Sequence, residues 1–83
     1  MKVHIRYFAS IRESLERGTE TVESGAATLG ALRDELIGRG GAYAESLARG
    51  RAVRLALNQV MAEESAALSE GAEVGFFPPV TGG

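Results

Sequence analysis

Apolar and polar residues alternate without a break from Lys2 to Tyr7. Val3, Ile5 and Tyr7 point to one side and Lys2, His4 and Arg6 to the other, the period-two pattern of a half-buried strand. Ser10 stands three residues before Glu13, the spacing of a capping box, and Ile11 and Leu15 follow at i,i+4. A short helix ending near Gly18 is predicted, then a second strand over Thr19 to Glu23. Thr28 is placed to cap the next helix. Leu29, Leu32, Leu36 and Ile37 fall at i, i+3, i+7 and i+8, one apolar stripe, and Gly38 with Gly40-Gly41 stops it. This is the main helix, the one that should cover a sheet. Ala42 to Arg49 adds a further helical turn or two, with Tyr43 and Leu47 on one side.

Alternation returns in Val53 to Leu57, a third strand. Asn58 to Leu68 is mixed: Val60 and Met61 suit a strand start, Glu63 to Ala67 a turn. Glu70-Gly71 is a turn signal, and Glu73 to Phe77 is the last strand. Pro78-Pro79 closes it, because proline has no amide to donate to a ladder. The pattern predicts an α+β fold, a small mixed sheet against one main helix. The β-grasp (ubiquitin-like) fold has this order, though the pattern alone does not single it out. The expected division is a domain over residues 1–79 and an extended, flexible tail over residues 80–83.

At 83 residues the chain is one domain. A domain of this size buries only about 60–65% of its unfolded surface, which leaves little room for a deep catalytic cavity. A net charge of -2 argues against a nucleic-acid backbone binder. There is no cysteine, so disulfides, thiolate metal sites and a cysteine nucleophile are excluded. One histidine, His4, cannot build a histidine metal site alone. No hydrophobic run has the length of a bilayer span, and a cytoplasmic location is expected. The serines lack a nucleophile-elbow setting, and no phosphate-binding loop of the Walker type occurs. Glu63-Glu64 is expected to be a solvated loop.

The remaining chemistry sits in the tail. An α-carboxylate has a pKa of about 3.3–3.7 and is a poor electrophile until a partner activates it. Thr81-Gly82-Gly83 is slim, and glycine lets backbone approach closely. Counted from Pro79, five extended residues reach roughly 16–18 Å, enough to thread a narrow channel. Phe76 and Phe77 must face opposite sides of their strand. The more apolar pair, Val74 and Phe76, is assigned to the core. Phe77 then stands on the outer face beside Gly75, placed to anchor a partner or to pack on a loop of its own chain. Phe8 either extends that outer patch or acts as a hydrophobic staple under the following helix. Arg12 either pairs with an acidic partner residue or is a solvated helix position.

The run Phe76-Phe77-Pro78-Pro79-Val80-Thr81-Gly82-Gly83 resembles the C-terminal signature of the small subunit of molybdopterin synthase. Tyr7 to Glu13, Thr28 to Leu32 and Leu57-Asn58-Gln59 resemble other segments of that family, in order along the whole chain. The resemblance implies a β-grasp sulfur carrier that is not an enzyme on its own and binds no cofactor. An E1-like adenylyltransferase would use ATP to adenylate Gly83, and a sulfur donor would convert it to a thiocarboxylate. Val80, Thr81 and Gly82 would be the segment recognised. The tail would then enter the large synthase subunit and give sulfur to cyclic pyranopterin monophosphate, in a heterotetramer of two carriers and two large subunits. Phe8, Arg12 and Phe77 are the expected partner interface. Neither a nucleic acid nor a membrane is an expected partner. The same tail chemistry would suit a carrier for another sulfur pathway, such as a thiamine-type one, or a ubiquitin-like protein modifier; an inert tail on a binding module is the fourth possibility.

Overall fold

The computed structural model describes residues 1–79; Val80, Thr81, Gly82 and Gly83, the expected working tail, lie outside the described residues. Eight elements follow in order: β1 (Lys2–Tyr7), α1 (Ala9–Leu15), β2 (Thr19–Glu23), α2 (Leu29–Ile37), α3 (Gly41–Leu47), β3 (Arg54–Leu57), β4 (Val60–Ala62) and β5 (Glu73–Phe77). The strands form one mixed sheet in the order β2-β1-β5-β3-β4. β1 and β5 run parallel at its centre, with His4 opposite Glu73 and Tyr7 opposite Phe76; the other pairs are antiparallel. A sheet of this order, crossed by one main helix, is the β-grasp arrangement.

The period-two reading of β1 holds residue by residue. Val3, Ile5 and Tyr7 are buried, and Lys2, His4 and Arg6 are exposed. Val74 and Phe76 join them from β5 and Leu55 from β3, and Leu29, Leu32 and Leu36 of α2 pack onto this face with Ile11 and Leu47. Each of the larger side chains contributes about 1.5–3 kcal/mol by leaving water. Thr28 caps α2 as expected, its hydroxyl accepting from the Ala31 N–H at 3.2 Å.

α1 differs from its predicted start. Its N-cap position is Phe8, without a side-chain cap, and Ser10 already lies in the first turn. The sheet decides this. The Phe8 N–H donates to the Phe76 carbonyl at 3.2 Å, which holds Phe8 extended, and the chain then turns at Ala9 (φ 50). The mixed segment after β3 becomes a tight hairpin. Asn58 and Gln59 both take positive φ, the two-residue turn whose twist matches its flanking strands. Asn58 is held there by Glu73, whose N–H donates to its side-chain oxygen at 3.0 Å.

Glu63-Glu64 lies in the turn after β4 as expected, with Glu63 exposed and the Glu64 side chain 41% exposed, but Glu64 also carries two ion pairs. It pairs with Arg33 at 3.3 Å and with Arg49. Arg33 is only 4% exposed. It donates to the carbonyls of Leu47 (2.8 Å), Ala48 (2.8 Å) and Arg51 (3.1 Å). One guanidinium thereby fastens the connection between α3 and β3 to α2, where unpaired carbonyls would be costly.

Candidate functional site

The strand that leads into the tail has two unlike faces. Phe76 turns into the core and stacks on Tyr7, with ring centroids 5.9 Å apart. Phe77 turns to the outer face and stacks on Phe8, with centroids 4.3 Å apart and planes 5° from parallel. The two expectations for Phe8 and Phe77 therefore merge: each packs on its own chain, and the partner of each is the other. Gly75 makes room for them. A Cβ at Gly75 would lie 3.1 Å from Phe77 Cε2 and 3.3 Å from Phe8 Cε2.

Cross-strand neighbours extend this patch. Ala56 pairs with Gly75 and Met61 with Ala56, so Phe8, Phe77, Gly75, Ala56 and Met61 line one strip across the open face. Met61 is 56% exposed and its neighbour Val60 67%. Charge borders the strip. The Arg6 guanidinium lies 5.2 Å from the Phe8 ring centroid and 3.9 Å from the Glu73 carboxylate, and Arg54 stands opposite Phe77. An apolar centre with a charged rim is the anatomy of a protein-binding surface. Arg12 is not part of it: its side chain lies along Gly18, where a Cβ would come within 3.2 Å of its Nε.

On the helical side of the tail's root, a groove of about 540 Å³ is lined by Ser10, Ile11, Ser46, Arg51, Val53 and Pro79, among others. Pro78 and Pro79, which follow Phe77 directly, line this groove. A separate polar cluster surrounds Glu20. The hydroxyls of Tyr7 and Tyr43 each donate to its Oε2 at 2.7 Å, and Arg39 and Arg17 reach its Oε1 at 2.9 and 3.2 Å. Burial by itself would raise the Glu20 carboxyl, but the hydrogen bonds from Tyr43, Tyr7 and Arg39 outweigh it and hold the carboxyl below its ordinary value. The Tyr7 phenol is pushed far above its ordinary range by burial first and by Glu20 second. Such a cluster fastens β1, β2 and α3 and offers no free base.

Among the described residues, no group of three or more His, Asp or Glu side chains could hold a metal ion. No helix among them is long and apolar enough to cross a membrane. His4 sits on the open face with its Nδ1 3.0 Å from the Thr21 hydroxyl, a cross-strand pair with no acid or nucleophile beside it.

The profile of the ThiS family matches residues 5–83. The chain belongs to the ThiS family. This ThiS-family chain is 35% identical over 81 residues to the molybdopterin synthase sulfur carrier subunit of Haemophilus influenzae, a match covering 98% of this chain and 99% of that protein. Its fold is similar to a chain of the protein–protein complex of subunits 1 and 2 of the molybdopterin-converting factor from Helicobacter pylori (TM-score 0.70, 26% identity, all of both chains). It is also similar to small archaeal modifier protein 1 of H. volcanii (TM-score 0.75, 26% identity, 95% of this chain and 98% of that one). The strip members Gly75, Ala56, Met61, Arg6 and Arg54 were not legible as site residues. The alternation of β3 and β5 could have put Ala56 and Arg54 on the Phe77 face, but register across strands is needed to join them.

Proposed function

We propose that this chain is the sulfur carrier subunit of a molybdopterin synthase. The observation that carries the proposal is the stacked Phe8–Phe77 pair on the open sheet face, at the end of the strand that runs directly into Pro78-Pro79 and the Gly82-Gly83 tail. The full-length likeness to the H. influenzae carrier subunit supports it. In this reading the large subunit and an E1-like adenylyltransferase each dock on the aromatic strip, with Arg12 as a peripheral charge contact. The strip fixes where the tail starts, and Val80, Thr81 and Gly82 lead Gly83 into the partner's active site.

The chemistry then needs nothing from the folded domain except position. The adenylyltransferase joins the Gly83 carboxylate to the α-phosphorus of ATP and releases pyrophosphate. Sulfur delivered by a donor at the sulfide level (HS⁻) attacks the acyl carbonyl, the C–O bond to AMP breaks, and a thiocarboxylate is left. That sulfur passes to cyclic pyranopterin monophosphate in the large subunit. A carrier that holds sulfur on its own terminus needs no cysteine, and this chain has none. The proposed setting is cytoplasmic, in a heterotetramer with two large subunits.

A second reading, a protein modifier that forms isopeptide bonds through Gly83, draws on the likeness to small archaeal modifier protein 1. One experiment separates the two. The chain is incubated with adenylyltransferase, ATP and a sulfur donor, and its C-terminal peptide is fragmented in a mass spectrometer. Sulfur on Gly83, handed on to the pterin precursor when the large subunit is added, is the expected result. An unmodified Gly83 after pyrophosphate release, with lysine adducts in an extract, would favour the modifier.

A further inference from the structure

The sheet has two edges, and they are not equally closed. β2 and β4 are the edge strands. In β4, Val60 pairs with Leu57 across the two-residue turn and Ala62 pairs with Leu55, so of its three residues only Met61 turns its backbone N–H and C=O away from the sheet. β2 is longer, and the phase of its ladder is fixed at both ends. The Tyr7 N–H donates to the Gly18 carbonyl and the Ser24 N–H to the Met1 carbonyl, each at 2.8 Å. Glu20 and Val22 therefore bond to β1, and Thr19, Thr21 and Glu23 turn their N–H and C=O outward. Among the described residues, no strand lies beyond β2 and no loop backbone bonds to those outward groups.

Free edges are commonly blunted by proline, lysine or a bulge. β2 reads Thr-Glu-Thr-Val-Glu, with neither residue, and its register with β1 runs unbroken over five pairs. The Glu20 carboxylate is taken up by Tyr7 and Tyr43. Thr19, Thr21 and Glu23 are exposed on the open face, where Thr21 stands beside His4. The edge is complementary to itself in one antiparallel register. Centred on Thr21, it sets Thr21 against Thr21 of a second copy, Glu20 against Val22 and Glu23 against Thr19. No like charges stand opposite, and all the outward N–H and C=O groups of both strands are bonded. Sliding the strands so that Thr19 meets Thr21 keeps only two of the three bonded pairs and sets Glu20 against Glu20. The opposite slide, Thr21 against Glu23, also keeps only two.

We infer that β2 is a self-association edge, at which two copies of this chain join by a symmetric antiparallel β2–β2 pair centred on Thr21. Their two sheets become one, with the two-fold axis perpendicular to it and both open faces on the same side. The aromatic strip runs from Phe8 across β5 and β3 to Met61 of β4, so the pairing leaves it uncovered in each copy. A β2–β4 contact would instead propagate as an open chain. β4 offers it one outward residue, against three in the β2–β2 pair. The inference goes beyond the proposed sulfur transfer and does not depend on it.

Sedimentation equilibrium of the full chain measures the association. A single short edge buries less than about 1,200 Å², the size of transient contacts, so the dimer should appear as the concentration rises from about 10 μM to about 1 mM. A chain that stays monomeric throughout overturns the inference. Thr21→Pro removes the N–H at the axis without touching the β1 ladder and should weaken association by about tenfold or more; circular dichroism checks that the variant folds. Association of the folded variant at the wild-type strength overturns the inference. Thr21→Lys and Thr21→Glu keep the backbone and each set like charges against each other at the axis. Each alone should be monomeric, and their equimolar mixture should associate about tenfold or more tightly than either. Only the Thr21-centred register opposes residue 21 to itself, so a mixture no tighter than its components overturns the pairing, whether or not the proline variant folds. Amide exchange followed by NMR at low and high concentration locates the contact. Added protection is expected at Thr19, Thr21 and Glu23. Added protection at Gly75, Phe77 and Met61 in their place would assign the association to the aromatic strip and overturn the inference.

Discussion

Truncating Phe77 to alanine should separate docking from folding. In the free domain the change removes a half-buried ring and its stack on Phe8 at 4.3 Å. The stacking is worth about 1 kcal/mol and the partial burial about another. For a domain of this size, about 2 kcal/mol lowers the melting temperature by roughly 8–16 °C. At an interface, a central aromatic anchor costs about 2 kcal/mol or more when truncated, which is about 30-fold in Kd. Titration calorimetry against the large subunit, well below the melting temperature, measures the second quantity, and thermal unfolding by circular dichroism measures the first. Leu15→Ala is the control, because Leu15 packs against the core from α1, away from the strip. It should lower the melting temperature by a similar amount and leave Kd unchanged. A double-mutant cycle of Phe8→Ala and Phe77→Ala should give a coupling of about 0.5–1.5 kcal/mol in stability. A Kd within twofold of wild type for both single variants would refute the docking role of the pair.

Deleting Gly82-Gly83 should leave the melting temperature within about 2 °C of wild type, since short termini add little to the core, and should abolish sulfur transfer in a reconstituted synthase assay. Arg33→Met keeps the packing of the stem but leaves the carbonyls of Leu47, Ala48 and Arg51 without their donor; unfolding in urea should show a loss of about 3 kcal/mol. Glu20 is held below its ordinary pKa, so its contribution to stability is present above its unfolded pKa of about 4.3 and is lost as pH falls through the lower folded value. Glu20→Gln should therefore destabilise near pH 7 and flatten the fall in melting temperature below about pH 4.5; an unchanged profile would remove Glu20 from the account. Gly30→Ala puts a Cβ 2.9 Å from Glu64 Oε1 and 3.0 Å from Glu64 Cβ, so the expected cost is about 1–3 kcal/mol, against the usual gain from alanine in a helix.

The features legible in the sequence are the ones that local period sets. Alternation placed Val3, Ile5 and Tyr7 inward, the leucine stripe identified the main helix, and parity along β5 sent Phe76 in and Phe77 out. What escaped depends on partners far along the chain. Arg33 looks like any helical arginine until Leu47, Ala48, Arg51 and Glu64 are brought to it. Ser10 with Glu13 forms a reasonable capping signal, but a sheet hydrogen bond from Phe8 to Phe76 outweighs a cap worth about 1 kcal/mol. Met61 lay in a stretch with no clear period, and its place on the strip follows only from its pairing with Ala56. Arg12 could be read either as a partner contact or as a solvated helix position, and its closeness to Gly18 follows only from the fold.

The parity of one strand also explains how so small a domain can hold an ordered aromatic pair on its open face. β5 is central, so Val74 and Phe76 are among the best buried residues of the core and the strand is held on both sides. The same backbone presents Phe77 on the open face one residue later, and Pro78-Pro79 ends the pairing immediately after. Whatever stabilises the core therefore also fixes where β5 ends at Phe77, relative to the open face that carries the aromatic pair. A loop-borne anchor would have to be ordered on binding, at about 0.5–1.5 kcal/mol for each immobilised side chain. Here Phe8 and Phe77 immobilise each other over Gly75 before any partner arrives, so that part of the cost is already met in folding.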